Sequence, residues 1–163
     1  MRSAFGLSLL ELVVVLAVLG ILLALGTGYL NSDRTAVNQA AQSLAAQVTR
    51  ARLEAIRRNE FVGLALRTNG AGGYAVFLDT DRDGVQDAGE TILQTVTFGQ
   101  GDWARVRLSG LQQNNTAVSS ATLVFDTRGV PQNFAILTIT LSNRAETYTK
   151  TVQISEQGRA TIP

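Results

Sequence analysis

A chain of 163 residues is long enough for one modest domain together with an appendage. It contains no cysteine and no histidine, so disulfide bonds, thiolate and imidazole metal ligands, and a Ser-His-Asp catalytic arrangement are all excluded. The formal net charge is +1, and it gives no general indication of nucleic-acid binding.

The amino-terminal region contains a long apolar run. No charged residue occurs from residue 12 to residue 30, and residues 7–10 extend the run on the other side of one carboxylate, Glu11. Since a helical crossing of the bilayer takes about 20 residues, the run predicts a transmembrane helix at residues 7–30. A secretory signal peptide is the alternative, but its apolar core spans about 7 to 15 residues and would not contain a carboxylate.

Residues 31–59 have the pattern of an amphipathic helix. Small and apolar residues recur at the spacing of one helical stripe, at Val37, Ala41, Leu44, Val48, Ala51 and Ala55. No proline interrupts residues 7–59, so the pattern predicts one helix of about 50 residues whose second half is amphipathic. Glycine lowers helix stability by about 1 kcal/mol relative to alanine, and residues 26–28 therefore predict a bend or a locally melted segment.

From residue 60 to residue 163 the apolar residues alternate with a period of two. Short runs rich in Val, Ile, Leu, Phe and Thr occur at residues 61–66, 74–78, 91–98, 104–108, 122–125, 135–141 and 147–154, with turn-forming residues between them. These runs predict an antiparallel β domain of about six or seven strands. Packed on residues 31–59, it would form one globular unit with an α+β fold. Residues 112–120 are polar and predict a long loop.

Residues 5–12, with the sequence Phe-Gly-Leu-Ser-Leu-Leu-Glu-Leu, resemble the prepilin processing site of type IV pilins and type II secretion pseudopilins. The resemblance implies that a prepilin peptidase removes residues 1–6 as a leader by cutting after Gly6. The same enzyme would methylate the new amino terminus at Leu7, and Glu11 occupies the position of the family's glutamate. Leu7 departs from the family, which usually has phenylalanine or methionine there, but leucine keeps the position hydrophobic.

Four further segments resemble the GspH/FimT group of minor pilins and pseudopilins. They lie at residues 51–59, 61–66, 124–129 and 152–159. This resemblance implies a pilin-like fold, in which a long amino-terminal helix packs on an antiparallel β-sheet domain, and it implies no enzymatic activity. It also implies assembly with other pilins or pseudopilins into a type IV pilus or a type II secretion pseudopilus.

Charge indicates the orientation of the chain in the inner membrane. Arg2 precedes the apolar run and no other basic residue follows until Arg34, which favours a single pass with a cytoplasmic amino terminus and a periplasmic β domain. Glu11 would be unfavourable in hydrocarbon by about 2.5 to 3.5 kcal/mol on insertion scales. The family role implies that Glu11 pairs with the amino group of Leu7 in a neighbouring subunit. The alternative is that Glu11 lies at the cytoplasmic interface and reaches water.

The region between the second and third predicted strands is acidic. It matches the calcium-loop pattern D-x-D-x-D-G, with acidic residues at loop positions nine and twelve, through Asp79, Asp81, Asp83, Gly84, Val85, Asp87 and Glu90. Calcium takes about six to eight oxygen ligands, which the carboxylates and the Val85 carbonyl could supply. The alternative is a hairpin whose aspartates and glycine satisfy turn geometry without an ion. Ca²⁺ is the one cofactor that the sequence suggests.

Basic residues suggest an alternative function. Some FimT-like pilins bind DNA during natural transformation, so the resemblance makes a DNA-binding competence pilin the second hypothesis. Phosphate contacts could come from Arg144, Lys150 and Arg159, together with Arg50, Arg57, Arg58, Arg105 and Arg107. Residues 157–163 lack the aromatic side chains on which single-strand binders stack bases. A third hypothesis, a membrane-tethered hydrolase, would need an acid and base pair such as Asp126 and Glu146, and no motif surrounds them.

Overall fold

Two helices form the amino-terminal part of the chain. The structure, a computed structural model, describes residues 9–30, 33–132 and 135–163, with the backbone alone for residues 23–30. Helix α1 spans Leu9–Leu30 and helix α2 spans Asp33–Arg58. The backbone of residues 26–28 lies within α1 and is helical, so the predicted melting there is wrong. The predicted continuity of the two helices concerns residues 31–32, which lie outside the described residues.

The described residues after α2 form strands in two sheets. The strands are β1 (Val62–Arg67), β2 (Gly73–Leu78), β3 (Ile92–Thr97), β4 (Val106–Gln113), β5 (Thr116–Ala117), β6 (Ser120–Phe125), β7 (Leu137–Asn143), β8 (Thr149–Ile154) and β9 (Ala160–Thr161). The first sheet has the order β3-β2-β1-β6, and the second has the order β5-β4-β7-β8-β9. All the strand pairs are antiparallel. The predicted α+β architecture is confirmed, and the division into two sheets was not predicted.

One stripe of α2 packs on both sheets. The helix contacts β1 and β6 of the first sheet and β4, β7, β8 and β9 of the second. Its buried residues are Val37, Ala40, Ala41, Leu44, Gln47, Val48, Ala51 and Ala55. The predicted stripe is therefore confirmed at each of its positions. Small alanines alternate with larger Val and Leu side chains along the stripe, which lets the strands approach the helix closely.

The carboxyl-terminal end of α2 is a Schellman motif. Asn59 adopts a left-handed conformation with a φ of 56°. Its N–H donates to the Ile56 carbonyl at 3.3 Å, and the N–H of Glu60 donates to the Ala55 carbonyl at 3.2 Å. These two hydrogen bonds satisfy carbonyls that have no partner inside the helix, and they turn the chain from α2 into β1.

The polar segment 112–120 is a hairpin and not a long loop. β4 extends to Gln113, and Asn114 and Asn115 form the turn into β5 with φ values of 50° and 64°. Asparagine adopts this left-handed region more readily than most residues, which suits a two-residue hairpin turn. The prediction of a loop is wrong because the polar residues here belong to an exposed hairpin, where they face water on both sides of the strands.

In the first sheet, β1, β2 and β6 are largely buried on both faces, whereas β3 at the edge is partly exposed. Leu64 and Val76 belong to the core that includes α2. Successive residues of a strand point to opposite faces, so Phe77 faces away from this core, yet it is fully buried. Gly63 lies opposite Phe77, and a Cβ at Gly63 would lie 2.3 Å from the Cζ atom of the ring. The glycine thus allows the phenylalanine ring to pack directly over β1.

Candidate functional site

The amino-terminal site predicted from the sequence lies partly outside the described residues. Gly6 and Leu7, the predicted cleavage and methylation positions, are not among them. Glu11 lies in the first turn of α1 and is exposed, as are Leu10 and Leu12 beside it. A carboxylate in the first turn interacts favourably with the helix dipole.

α1 has apolar side chains around its whole circumference. The side chains of residues 9–22 are all exposed, with exposed fractions of 80% for Leu9 and 60% for Leu16. Contiguous apolar surface of this kind marks a site of interaction with another apolar surface. Among the helices of the described residues, none has the length and hydropathy required to cross a membrane.

Polar contacts that the sequence did not predict join the start of α2 to the β domain. Asp33 accepts hydrogen bonds from the Arg105 guanidinium at 3.3 Å and from the Asn143 side-chain amide at 3.2 Å. The side-chain Oδ1 atom of Asn143 accepts the N–H of Tyr148 at 3.0 Å, and the Tyr148 hydroxyl donates to Asn38 Oδ1 at 2.9 Å. These contacts hold the first turns of α2 on the second sheet. The contacts that involve α2 join residues far apart in the sequence, so no local spacing indicates them.

The acidic loop between β2 and β3 brings three of the predicted calcium ligands together. Carboxylate oxygens of Asp79, Asp81 and Asp83 lie within 4.8 Å of one another. Asp79 directly follows β2 and is buried, whereas Asp81 and Asp83 are exposed. The position of Asp79 at the end of a buried strand explains why its carboxylate points inward while the other two remain in water.

Short-range hydrogen bonds shape this loop. The N–H of Asp83 donates to Asp81 Oδ1 at 3.4 Å, and the N–H of Val85 donates to Asp83 Oδ1 at 2.6 Å. The N–H of Gly84 donates to Asp79 Oδ2 at 3.2 Å. Gly84 has a φ of 75°, a conformation that glycine adopts without strain. The turn chemistry predicted as the alternative to a metal site is therefore present, and it holds the three carboxylates close together.

Glu90 braces the loop from its far end. Its Oε1 atom accepts the N–H of Thr80 and its Oε2 atom accepts the N–H of Asp87, each at 3.0 Å. Asp87 is exposed, and its pKa is raised by partial loss of hydration and by the nearby carboxylates. Asp87 and Glu90 lie outside the group formed by the first three aspartates. Their place among the metal ligands, like that of Val85, stays a prediction.

Asp79 is the electrostatically unusual residue of the loop. Burial raises the pKa of its carboxyl group, and repulsion from Glu90 and Asp81 acts in the same direction. Backbone N–H groups of Arg82 and Gly84 oppose this rise in pKa. The Oδ1 atom of Asp79 is buried and has no hydrogen-bond partner among the described residues. A buried carboxylate oxygen without a donor is costly, so this atom marks a place where a ligand would be stabilising.

The three basic residues predicted to bind DNA are not gathered at one point. The Arg144 guanidinium donates to the Gly99 carbonyl at 3.3 Å, and Lys150 donates to the Pro163 carbonyl at 2.7 Å. Arg144 lies near the start of β8, because the end of β7 pairs with that end of the strand, whereas Arg159 follows the turn beyond its other end. DNA binding by these residues stays a prediction.

The two carboxylates considered for a hydrolase are engaged by arginines. Glu146 accepts a hydrogen bond from Arg107 at 2.9 Å. Asp126 accepts the N–H groups of Val130 at 2.8 Å and Arg128 at 2.9 Å. Burial alone would raise the pKa of Asp126, but the hydrogen bonds from Val130 and Arg128 hold it below its usual value. A carboxyl group with a lowered pKa is poorly suited to act as a general acid, and both residues serve the fold.

Comparisons with known proteins place this fold in a family. The family model described as type II transport protein GspH matches residues 40–158. The pilin-like protein PilA1 of Thermus thermophilus is 50% identical over 157 residues, which cover 96% of this chain and 97% of that protein. Two crystal structures of the type IV minor pilin FimU of Pseudomonas aeruginosa have TM-scores of 0.52 and 0.51 at 18% and 19% identity. They cover 80% and 77% of this chain and 90% and 91% of their own chains.

A long amino-terminal helix packed on antiparallel strands is the pilin fold, which this chain shares with FimU. The protein is therefore pilin-like in class. The chain belongs to the GspH family, because the family model and the pilin-like relative each match most of its length. It is a structural subunit and not an enzyme. The family expected from residues 5–12 and from the four later segments is confirmed.

Proposed function

We propose that this protein is a minor pilin or pseudopilin that enters a type IV pilus or a type II secretion pseudopilus through its amino-terminal helix. The observation that carries the proposal is the exposed apolar surface of α1, which bears one carboxylate, Glu11. Water is an unfavourable environment for such a surface, and apolar helices of neighbouring subunits are a favourable one. Membership of the GspH family and identity to a pilin-like protein support the same role.

The proposed route to the filament begins in the inner membrane. The chain inserts by residues 7–30 with its amino terminus in the cytoplasm and its β domain in the periplasm. A prepilin peptidase removes residues 1–6 by cutting after Gly6, and the new amino group of Leu7 is methylated. The absence of charge from residue 12 to residue 30 and the sequence of residues 5–12 support this route.

Glu11 supplies the specificity of the proposed assembly. Its carboxylate pairs with the amino group of Leu7 in the neighbouring subunit, so that both charges are neutralised among apolar helices. Removing one partner from a buried ion pair costs about 3 to 5 kcal/mol, because the other charge is left without compensation. A subunit shifted along the filament axis would leave both charges unpaired, and the pair therefore selects one axial register.

The test is the substitution Glu11→Gln, made in the native cell. This change removes the charge and keeps the size of the side chain. We expect the variant to be processed normally, because cleavage depends on Gly6, but to be lost from the sheared filament fraction. Glu60→Gln is the matched control, since it removes an exposed carboxylate just beyond α2. Filaments that contain Glu11→Gln and Glu60→Gln subunits in equal amounts would contradict the pairing.

A further inference from the structure

We propose that the loop of residues 79–90 binds one calcium ion, with the carboxylates of Asp79, Asp81 and Asp83 as its central ligands. Oxygen atoms of these three residues lie within 4.8 Å of one another. Calcium binds oxygen at about 2.3 to 2.6 Å, so two ligands on opposite sides of one ion are separated by about 5 Å. The three carboxylates thus already have the spacing of ligands that share a single ion.

A second observation, independent of the clustering, also indicates a ligand. Asp79 is only 2% exposed, and its Oδ1 atom has no hydrogen-bond partner in the described part of the chain. Its other oxygen accepts the N–H of Gly84, so the carboxylate is held in place with one oxygen unsatisfied. A buried carboxylate oxygen normally has a donor or a cation beside it. A cation bound between Asp79 and the two exposed aspartates would satisfy this atom.

No basic side chain of the described residues takes the place of that cation. The ion pairs in the structure involve other carboxylates, those of Glu54, Asp33, Glu146 and Asp126. Arg82 is the basic residue within the loop, and its guanidinium lies 4.6 Å from the centre of the Phe61 ring. The guanidinium thus makes a cation–π contact, and among the described residues no ion pair joins it to a carboxylate. The loop therefore keeps several like charges close together, an arrangement that a divalent cation would stabilise.

The donor set favours calcium over other cations. All the candidate ligands are oxygen atoms, and zinc prefers the nitrogen and sulfur ligands that this chain cannot supply. Magnesium requires near-ideal octahedral geometry and gives up its water reluctantly, whereas calcium accepts irregular sets of about six to eight oxygens. The Val85 carbonyl, the Asp87 carboxylate and water complete the proposed set. Glu90 holds the loop in shape through its bonds to Thr80 and Asp87.

Binding at this site would stabilise the first sheet. The loop lies against the face of that sheet opposite α2, where Phe77 and Val124 are buried. A Cβ at Gly84 would lie 3.5 Å from Val124 Cγ2, and Arg67 on β1 donates to the Gln86 side chain at 3.3 Å. An ion that holds the loop closed therefore also keeps this apolar face covered. The site does not depend on how the chain assembles.

The experiment uses the full chain in detergent, freed of metal with a chelator and then titrated with CaCl₂ or with MgCl₂ up to about 10 mM, beyond the weakest range of extracellular calcium sites. We expect calorimetry to show one calcium ion per chain. At a calcium concentration of about 100 times Kd, the midpoint of thermal unfolding should rise by about 5 to 10 °C. Absence of binding over this range, or an equal response to magnesium, would overturn the proposal.

Variants of the aspartates distinguish an effect on calcium binding from an effect on the hydrogen bonds of the turn. Asp81→Asn and Asp83→Asn keep the Oδ1 acceptors of the short-range hydrogen bonds and remove one charge each. Each should weaken calcium binding at least tenfold and leave the calcium-free midpoint unchanged. Asp102→Asn, at an exposed carboxylate outside the loop, is the control and should bind like the parent chain. Equal calcium responses in all three variants would contradict the assigned ligands. Asp79→Asn is a secondary variant, because its buried position can lower folding stability directly.

Discussion

α1 and α2 are both regular helices, but they differ in where their apolar side chains find contacts. In α2 the apolar residues form one stripe that is buried on both sheets, while in α1 they cover every face and are exposed over residues 9–22. The burial of α2 stabilises the domain to which it belongs. The apolar surface of α1 over residues 9–22 is not buried in the single chain. Only contact with another molecule would remove it from water. One helix thus serves the fold, and the other is the helix that we propose to serve assembly.

The largest expected difference is between the truncation of a leucine on α2 and the truncation of a leucine on α1. Leu44 on α2 is fully buried, and Leu44→Ala should lower the free energy of unfolding by about 2 to 5 kcal/mol. Leu16 on α1 is exposed, and Leu16→Ala should change the free energy of unfolding by less than about 0.5 kcal/mol. Denaturant unfolding of the full chain in detergent, followed by circular dichroism, measures both. Similar losses in the two variants would show that α1 belongs to the folding unit.

The second effect concerns Asp126, which organises the turn after β6. Its pKa is lower in the folded protein than in the unfolded chain, so its stabilisation is fully present above the unfolded pKa of about 3.9. That stabilisation is lost as the pH falls through the folded pKa. Asp126→Asn should lower the free energy of unfolding by about 1 to 2 kcal/mol at neutral pH. Denaturant melts at a series of pH values should show the difference from the parent narrowing towards pH 3.

Asp102→Asn is the control for this pH dependence, since it removes an exposed carboxylate. Its unfolding free energy should stay close to that of the parent throughout. A difference between Asp126→Asn and the parent that is independent of pH would exclude the lowered pKa as its cause.

A smaller effect tests how the end of α2 is held by the same turn. Gly129 and Gly70 have φ values of 74° and 66°, so alanine is strained at both positions. A Cβ at Gly129 would lie 2.8 Å from Ile56 Cδ1, whereas a Cβ at Gly70 would meet nothing within 4 Å. Gly129→Ala should therefore destabilise the domain by about 1 kcal/mol more than Gly70→Ala. Equal thermal midpoints for the two variants would mean that the Ile56 side chain moves aside without cost. The packing of the turn against α2 would then contribute little to stability.

The smallest expected effect is at the start of α2. Asp33→Asn removes the ion pair with Arg105 and keeps an acceptor for Asn143. The side chains of Asp33 and Arg105 are both largely exposed. The loss should be about 0.5 kcal/mol and should diminish at high salt, because exposed ion pairs are screened. Unfolding at low and high ionic strength measures it. A loss above about 2 kcal/mol at both salt concentrations would mark this contact as a main support of α2.

Sequence periodicity predicted the parts of the fold that depend on which face of an element is apolar. The α2 stripe from Val37 to Ala55 and the main strands follow directly from that pattern. Partners of strands could not be predicted in this way, because β1 pairs with both β2 and β6 and no local signal distinguishes them. The same limit applies to the contact between Asp33 and Asn143, which are 110 positions apart in the sequence.

The acidic loop shows a similar division. The spacing of Asp79, Asp81 and Asp83 predicted a calcium loop, and the structure places the three carboxylates close together. Binding of calcium itself stays a prediction. Burial of Asp79 and the bracing hydrogen bonds of Glu90 depend on how the loop lies against the first sheet. A pattern of acidic residues does not contain that information, since a solvated hairpin would have the same sequence.

The assignment of α1 to assembly is tested most directly by the mass of the protein recovered from its native cell. Mass spectrometry of the amino-terminal peptide should identify a chain that begins at Leu7 and carries one methyl group on its amino nitrogen. An intact Met1, or cleavage near Gly26 that releases the β domain without α1, would contradict the account.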